Sequence, residues 1–496
     1  MPDAFPKWVV QYAMAAYVAA LVVVSVLYSS YSLPWYYMLS GVVAVTVFFL
    51  FGREAVRGLA VNKIRKEKNF EKRLFWIAFI PRLLFMLLIY WLFQTYYGDA
   101  FGFDNADATS YDELGRDFAT AFNEGKVIAT WEEIAKYIDI SDMGYGFYVG
   151  FVYWLTGEGG IHPVHFLGET ATTSALSILT LRLLKCLWSS ITVLLIYRLA
   201  KRSMTEQTAR IAAIFCALWP NFWYYCAVHL KETEMVFLAV LFVEQADQML
   251  RSRQFTAWKI IPVLLIAAVL LTFRTPLAMV AMLALIFSVV MSSKKVVSWG
   301  KRIIVGVLAV LLIGVTVGNR IEERSHELLE QVQSGQQQQN MQWRAQREHG
   351  NSFAKYAGKS VFAPLIFTIP FPTMVRPFEG QEVQQLNNGG NFVKNILSFF
   401  TILAMFVLLF SGEWRNHLLP LSFMLGYLVV LTMSAFAQSE RFHQPAMAFE
   451  FMFAAYGVGV ALTKKRYKRW FIYWCVIMFV AAIAWNWFKL AGRGLA

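Results

Sequence analysis

Charge is scarce in this chain. Only 16% of its 496 residues are Asp, Glu, Lys or Arg, against roughly a quarter in a soluble globular domain. Cysteine is scarcer still: Cys186, Cys216, Cys226 and Cys475 all lie in apolar segments without metal-ligand spacing. They read as small core hydrophobes, and a disulfide scaffold is excluded. Acidic residues fall short of basic ones, 32 against 45, leaving a net charge of +13. In a soluble protein that excess points to nucleic acid. Here the basic residues sit in short loops between apolar runs, so they report topology and no nucleic-acid partner is expected. A P-loop, a GxGxxG and any repeat of about 20–50 residues are missing, so nothing supports nucleotide-driven transport. No cleavable signal peptide is evident. The first apolar run, Trp8–Tyr28, is long enough to span and reads as a retained anchor.

What is abundant is apolar: 58% of residues are hydrophobic, and mean hydropathy is +0.48. The chain reads as an all-α polytopic membrane protein, and the bilayer is its first partner. About 13 transmembrane helices are predicted: 8–28, 34–51, 74–97, 178–199, 208–228, 232–250, 259–273, 276–292, 303–318, 393–411, 417–436, 445–463 and 470–488. Basic clusters at 53–73, 201–202, 251–253, 294–302 and 464–469 each follow an even-numbered span. That parity predicts a cytoplasmic N-terminus, an external C-terminus and a cell (plasma or inner) membrane location. Residues 1–73, two spans and a basic linker, look like an addition before a core at 74–318; an external loop at 319–392 and C-terminal spans at 393–496 follow.

Two long segments, 98–177 and 319–392, fall on the external side, so soluble chemistry is expected there. The first is acidic over 98–144. The second contains the tract Gln336–Gln339 and a proline-broken apolar piece, Val361–Phe371, too short to span and suited to an interfacial or re-entrant path. In the first segment, Tyr111, Leu114, Phe118 and Phe122 recur at helical spacing and predict an amphipathic helix on the membrane. Ser110 with Glu113, or Thr109 with Asp112, makes a capping-box start. Asp104 and Asp107 then sit at a helix N-terminus: Asp107 is either an N-cap or a general base or metal ligand over a membrane cavity.

The order of motifs adds to this. It runs Arg82 in an apolar helix, Asp107-Ala108-x-x-Tyr111, Gly144–Gly157, Arg182, Pro220, Lys231-Glu232, Arg274-Thr275-Pro276 and Glu440-Arg441. This order resembles the integral-membrane glycosyltransferases of the GT-C superfamily, of the protein mannosyltransferase and aminoarabinose transferase kind, over roughly 74–463. The resemblance implies a sugar donor carried on a polyprenyl phosphate or pyrophosphate, a glycan, lipid or protein acceptor, and transfer on the external face. It makes Asp107 the base or the holder of a divalent metal, with Asp104 as a second carboxylate. Ala108 stands where relatives carry an adjacent acid, which leaves the metal open; Asp104, Asp107 and His229 are its candidate ligands.

Glycosyl transfer needs a carboxylate for the acceptor proton and cations for the leaving phosphate. The candidates beside Tyr111 and Glu232 are Lys231, Arg274, Arg376, Arg441 and His443. Each has a plainer use. Arg274 can snorkel, Arg441 can pair locally with Glu440, His443 can be a satisfied polar group beside Pro445, and His229-Leu-Lys-Glu can be a polar turn. Arg182 and Lys185, three apart on one helix face, either meet a lipid phosphate or anchor the helix. Other readings are a polysaccharide polymerase or ligase acting on lipid-linked glycans, a lipid-linked-sugar flippase or transporter, and a scaffold. A transporter would place ionisable groups near the bilayer midplane in related halves, a pattern not seen here.

Overall fold

The computed structural model describes residues 6–60, 63, 67–102, 105–138, 140–158, 173–252, 257–293, 296–297, 363–376, 382–433, 437–491 and 495. Their regular structure is helical, with one isolated bridge between Ser32 and Val375. The helices are α1 Lys7–Leu27, α2 Trp35–Gly58, α3 Glu67–Tyr97, α4 Asn105–Glu124, α5 Val127–Ile134, α6 Ile140–Leu155, α7 Ala175–Ser203, α8 Glu206–Leu218 and α9 Pro220–Ala227. They continue with α10 Glu232–Arg251, α11 Ile260–Phe273, α12 Thr275–Met291, α13 Glu382–Leu386, α14 Asn388–Ser411, α15 Leu418–Thr432, α16 Glu440–Ala461 and α17 Lys465–Ala491. Among them α1, α2, α3, α7, α14 and α17 are long and apolar enough to cross a membrane, and α11, α12 and α15 are shorter apolar helices. The protein is thus an all-α, multi-pass membrane protein. The expected span 303–318, the glutamine tract and Asp104 lie outside the described residues.

The expected span 208–228 is interrupted. Pro220 has no N–H for the helical ladder, so α8 stops at Leu218 and α9 starts afresh. The carbonyls released at Cys216 and Ala217 are taken by the guanidinium of Arg82 from α3, at 2.9 and 2.8 Å. Arg82 also donates to Ala78 O at 2.7 Å and Ser189 Oγ at 2.9 Å. This fully buried arginine is therefore a brace across a broken helix.

The piece 363–376 behaves as an irregular segment folded into the bundle. Backbone carbonyls away from water need internal partners. Lys394 and Asn395 of α14 supply them for Ile369, Thr368 and Pro370, and Asn486 of α17 serves Pro372 and Met374. The first two helices pack on the last ones. Trp8 of α1 meets Phe471 of α17, and Tyr17 Oη donates to Asn388 Oδ1 of α14 at 2.5 Å.

The amphipathic helix α4 begins at Asn105, a turn earlier than the capping-box reading, so Asp107 lies in its first turn instead of capping it. Its buried face is Ala108, Tyr111, Leu114, Phe118 and Ala119. That face lies on α6 because small residues let the backbones approach. A Cβ at Gly115 would strike Val149, one at Gly146 would strike Leu114, and one at Gly150 would strike Phe118. Gly144 turns the other way, against Thr272 of α11. The glycine-rich run in α6 thus holds α4 at one end of the bundle.

Candidate active site

At that end the first turns of α4, α6, α10, α12 and α16 gather. Helix N-termini carry partial positive charge, which favours acidic side chains in the first turn. Asp107, Asp142, Glu232 and Glu440 occupy such positions.

Arg441 ties them together. Its Nη1 donates to Asp107 Oδ2 and its Nε to Glu232 Oε1. Beyond its sequence neighbour Glu440, it reaches partners 334 and 209 residues away in sequence. Glu232 is buried, whereas the Asp107 side chain keeps 53% of its surface exposed. One carboxylate therefore holds the arginine while the other faces outward. Below Glu232 lies a small cavity walled by Ser189, Thr192, Phe222, Tyr225 and Gln444.

One helical turn below Asp107, on the same face of α4, Tyr111 Oη donates to Asp142 Oδ1 at 3.0 Å. The same oxygen accepts from Lys231 Nζ. Lys231 also donates to Ser141 O at 3.0 Å and Phe273 O at 2.9 Å, so its three N–H groups are all taken. It clamps α6 and α11 to the start of α10. Burial lowers the Lys231 pKa against the opposing pull of Asp142. Burial, then Asp142, raises that of Tyr111. Asp142 was not singled out from the sequence. The available signal was its place in a helical first turn, which it shares with Asp107.

Arg274 stands in extended backbone between α11 and α12, its guanidinium 4.7 Å from the Phe442 ring; Arg441 approaches the same ring at 5.8 Å. Arg274 has no ion pair among the described residues. Two arginines therefore meet over one aromatic, and one of them, Arg441, also holds Asp107.

The remaining candidates lie elsewhere. Arg376 joins the N-terminal helices through its backbone N–H, which donates to Tyr31 O at 2.7 Å. His443 is fully buried, its Nδ1 accepting from Lys394 Nζ at 2.8 Å and its Nε2 donating to Ala437 O at 2.9 Å. His229 is buried among Phe101, Tyr145 and Tyr153. Among the described residues no three His, Cys, Asp or Glu side chains converge in a metal-binding group. Asp107, paired to arginine, does not by itself fit a divalent ion.

Residues 170–318 match the model of the family described as dolichyl-phosphate-mannose-protein mannosyltransferase. The described part of this stretch runs through α7 to α12 and holds Lys231, Glu232 and Arg274; Asp107 and Arg441 lie outside it. No curated protein and no solved structure matches the chain. The match supports a glycosyltransferase of the GT-C superfamily acting on lipid-linked sugar.

Proposed function

We propose that this GT-C-type membrane glycosyltransferase moves a sugar from a polyprenyl-phosphate or pyrophosphate donor to an acceptor hydroxyl on the external face, with inversion. The observation that carries the reading is the outward-facing Asp107 carboxylate held by Arg441, which shares the Phe442 ring with Arg274, at a gathering of helix N-termini. Such a place suits a group that loses a proton to a carboxylate while phosphate charge develops next to it.

Asp107 takes the proton of the acceptor hydroxyl. The oxygen forms the new bond to the anomeric carbon as the bond from that carbon to the donor phosphate oxygen breaks. The electron pair of the broken bond leaves on the phosphate, which Arg274 and Arg441 receive. Arginine suits this task because its planar donors meet two phosphate oxygens at once. A single displacement inverts the anomeric centre. Glu232 keeps Arg441 in place when phosphate draws Nη1 away from Asp107. Tyr111, Asp142 and Lys231 fix α4 relative to α10 and so set the distance between base and cations.

The external side is supported by the basic loops, which cluster at the ends of even-numbered spans. The deciding experiment is transfer by purified protein from a pool of polyprenyl-phosphate sugars, with Asp107→Asn beside wild type. Transfer by wild type and its loss in a well-folded variant is expected. Equal transfer by both would remove Asp107 from the reaction.

A further inference from the structure

We propose that α2 and α3 form a groove that seats one anionic glycerophospholipid of the bilayer, its phosphate at Arg73, at the end of the bundle remote from Asp107. From Arg73 to the far end of α3 at Tyr97 is about 36 Å, at about 1.5 Å per residue. The groove is therefore separate from the residues assigned to transfer, and the proposal stands without that reading.

The groove follows from residue spacing. Ala55 and Gly58 of α2, with Leu59 just after the helix, fall on one helical face. Arg73, Trp76 and Ile77 of α3 repeat the same spacing. These six residues line a cavity of about 350 Å³. The space exists because the α2 wall is built from small residues: a Cβ added to Gly58 would meet nothing within 4 Å. The floor is fixed. Leu59 is buried, and its carbonyl accepts from Arg210 Nη1 of α8 at 2.9 Å. The Arg210 guanidinium also lies 4.3 Å from the Phe70 ring of α3. One arginine thus fastens both walls.

The occupant follows from what surrounds the opening. Both helices are long and apolar enough to cross a membrane, and Leu50, Phe51, Trp76, Ile80 and Leu84 stand exposed on their outer faces. A groove in such a surface opens to lipid. Its charge is of one sign. Lys63, Lys68, Lys72 and Arg73, on or between the two helices, are exposed and have no carboxylate partner among the described residues. The neighbouring acids are already held: Glu54 by Arg57 at 3.2 Å, Glu71 by Arg198 at 2.9 Å and Glu206 by Arg210 at 2.7 Å. Unpaired cations beside an apolar groove match a lipid with an anionic headgroup. The phosphate oxygens accept from the planar donors of Arg73, and an acyl chain lies over Ala55, Gly58 and Ile77. Trp76 at the rim suits the headgroup level, where amphipathic rings gather. The cavity takes the headgroup and the first part of one chain, and the rest of the lipid stays in the bilayer.

The test is lipid binding by the purified full chain, delipidated in detergent and read by native mass spectrometry. The probes are dioleoyl phosphatidylglycerol, dioleoyl phosphatidylcholine and glycerophosphate. Wild type is expected to hold phosphatidylglycerol at least about fivefold more tightly than phosphatidylcholine, the worth of roughly one basic residue at a charged surface. Arg73→Gln should remove that preference and leave phosphatidylcholine binding unchanged. Gly58→Leu fills the groove without altering charge and should weaken both lipids by about threefold or more. Both positions are exposed, so the lipid-free variants should melt with wild type. They lie on different helices, so if one fails to fold the other still decides. Unchanged phosphatidylglycerol affinity in a folded variant would overturn the site. Equal affinity of wild type for the two lipids, or glycerophosphate binding as tightly as phosphatidylglycerol, would overturn its assignment to an anionic phospholipid. A shift from dimer to monomer in Gly58→Leu with no loss of lipid would give the groove to a second copy of the chain and overturn the proposal.

Discussion

The two ends of α7 and α10 carry the same chemistry in opposite arrangements. At one end, Arg202 holds Glu244 at 2.6 Å and Asp247 at 3.0 Å, and Arg251 holds Asp247 from one turn away at 2.8 Å. Nearby Arg210 holds Glu206, also one turn away, at 2.7 Å. These carboxylates are shared between close neighbours, and Glu244 and Asp247 keep only 5% and 3% of their side-chain surface. The cluster is closed and fastens helices. At the other end, Arg441 reaches two carboxylates from remote parts of the chain, and Asp107 stays half exposed. The difference is one of access: the Arg202 cluster closes over both of its carboxylates, whereas the Arg441 cluster buries Glu232 and leaves Asp107 facing out.

Four measurements would break or sharpen this contrast. The largest effect belongs to Asp107→Asn. Transfer should fall by about 10²–10⁴-fold, the usual worth of a general base. Its melting temperature should barely move, because an exposed pair contributes only about 0–1 kcal/mol. The mirror image is Asp247→Ala at the closed end. Removing the carboxylate shared by Arg202 and Arg251 should destabilise the protein by about 3–5 kcal/mol. Its activity per folded molecule should stay within about twofold of wild type. If Asp247→Ala instead abolished transfer in folded protein, the contrast between the ends would be lost.

Glycine packing gives the third. Gly146→Ala sets a methyl against Leu114, and overpacking of this kind costs about 1–3 kcal/mol. Because the strain falls on the α4–α6 contact that holds Asp107, kcat should drop along with thermal stability. Full activity at reduced stability would show that α4 need not be held so closely. The smallest effect is expected for Arg274→Lys. The charge remains but the paired donors are lost, so KM for the donor should rise about three- to tenfold with little change in melting. An unaltered KM would leave Arg441 as the sole surface cation for phosphate.

Much of the architecture was legible in advance. Long apolar runs needed only their length and composition to be read as helices, because lipid leaves the backbone no alternative to internal hydrogen bonds. The amphipathic spacing of Tyr111, Leu114 and Phe118 placed α4, and Asp107 was visible at its start. The reading went astray where local signals competed. Thr109 and Ser110 resemble caps but lie inside the helix. The apolar stretch across Pro220 resembles one span but is two helices.

Partner choice was not legible. Glu440 adjoins Arg441 in sequence, yet the arginine also reaches Glu232 and Asp107. Asp142 gave no sign of meeting Lys231, and His443 gave none of turning inward to Lys394. Hydropathy and helical periodicity are properties of neighbouring residues, so the chain alone determined its membrane class, its principal helices and the placing of Asp107 and Glu232 near helix starts. Which acid meets which base depends on helix packing, set here by Gly115, Gly146 and Gly150 and by the break at Pro220. A charge buried in a bundle pairs with whatever that packing brings within reach, and only the tertiary structure decided that Arg441 stands between Asp107 and Glu232.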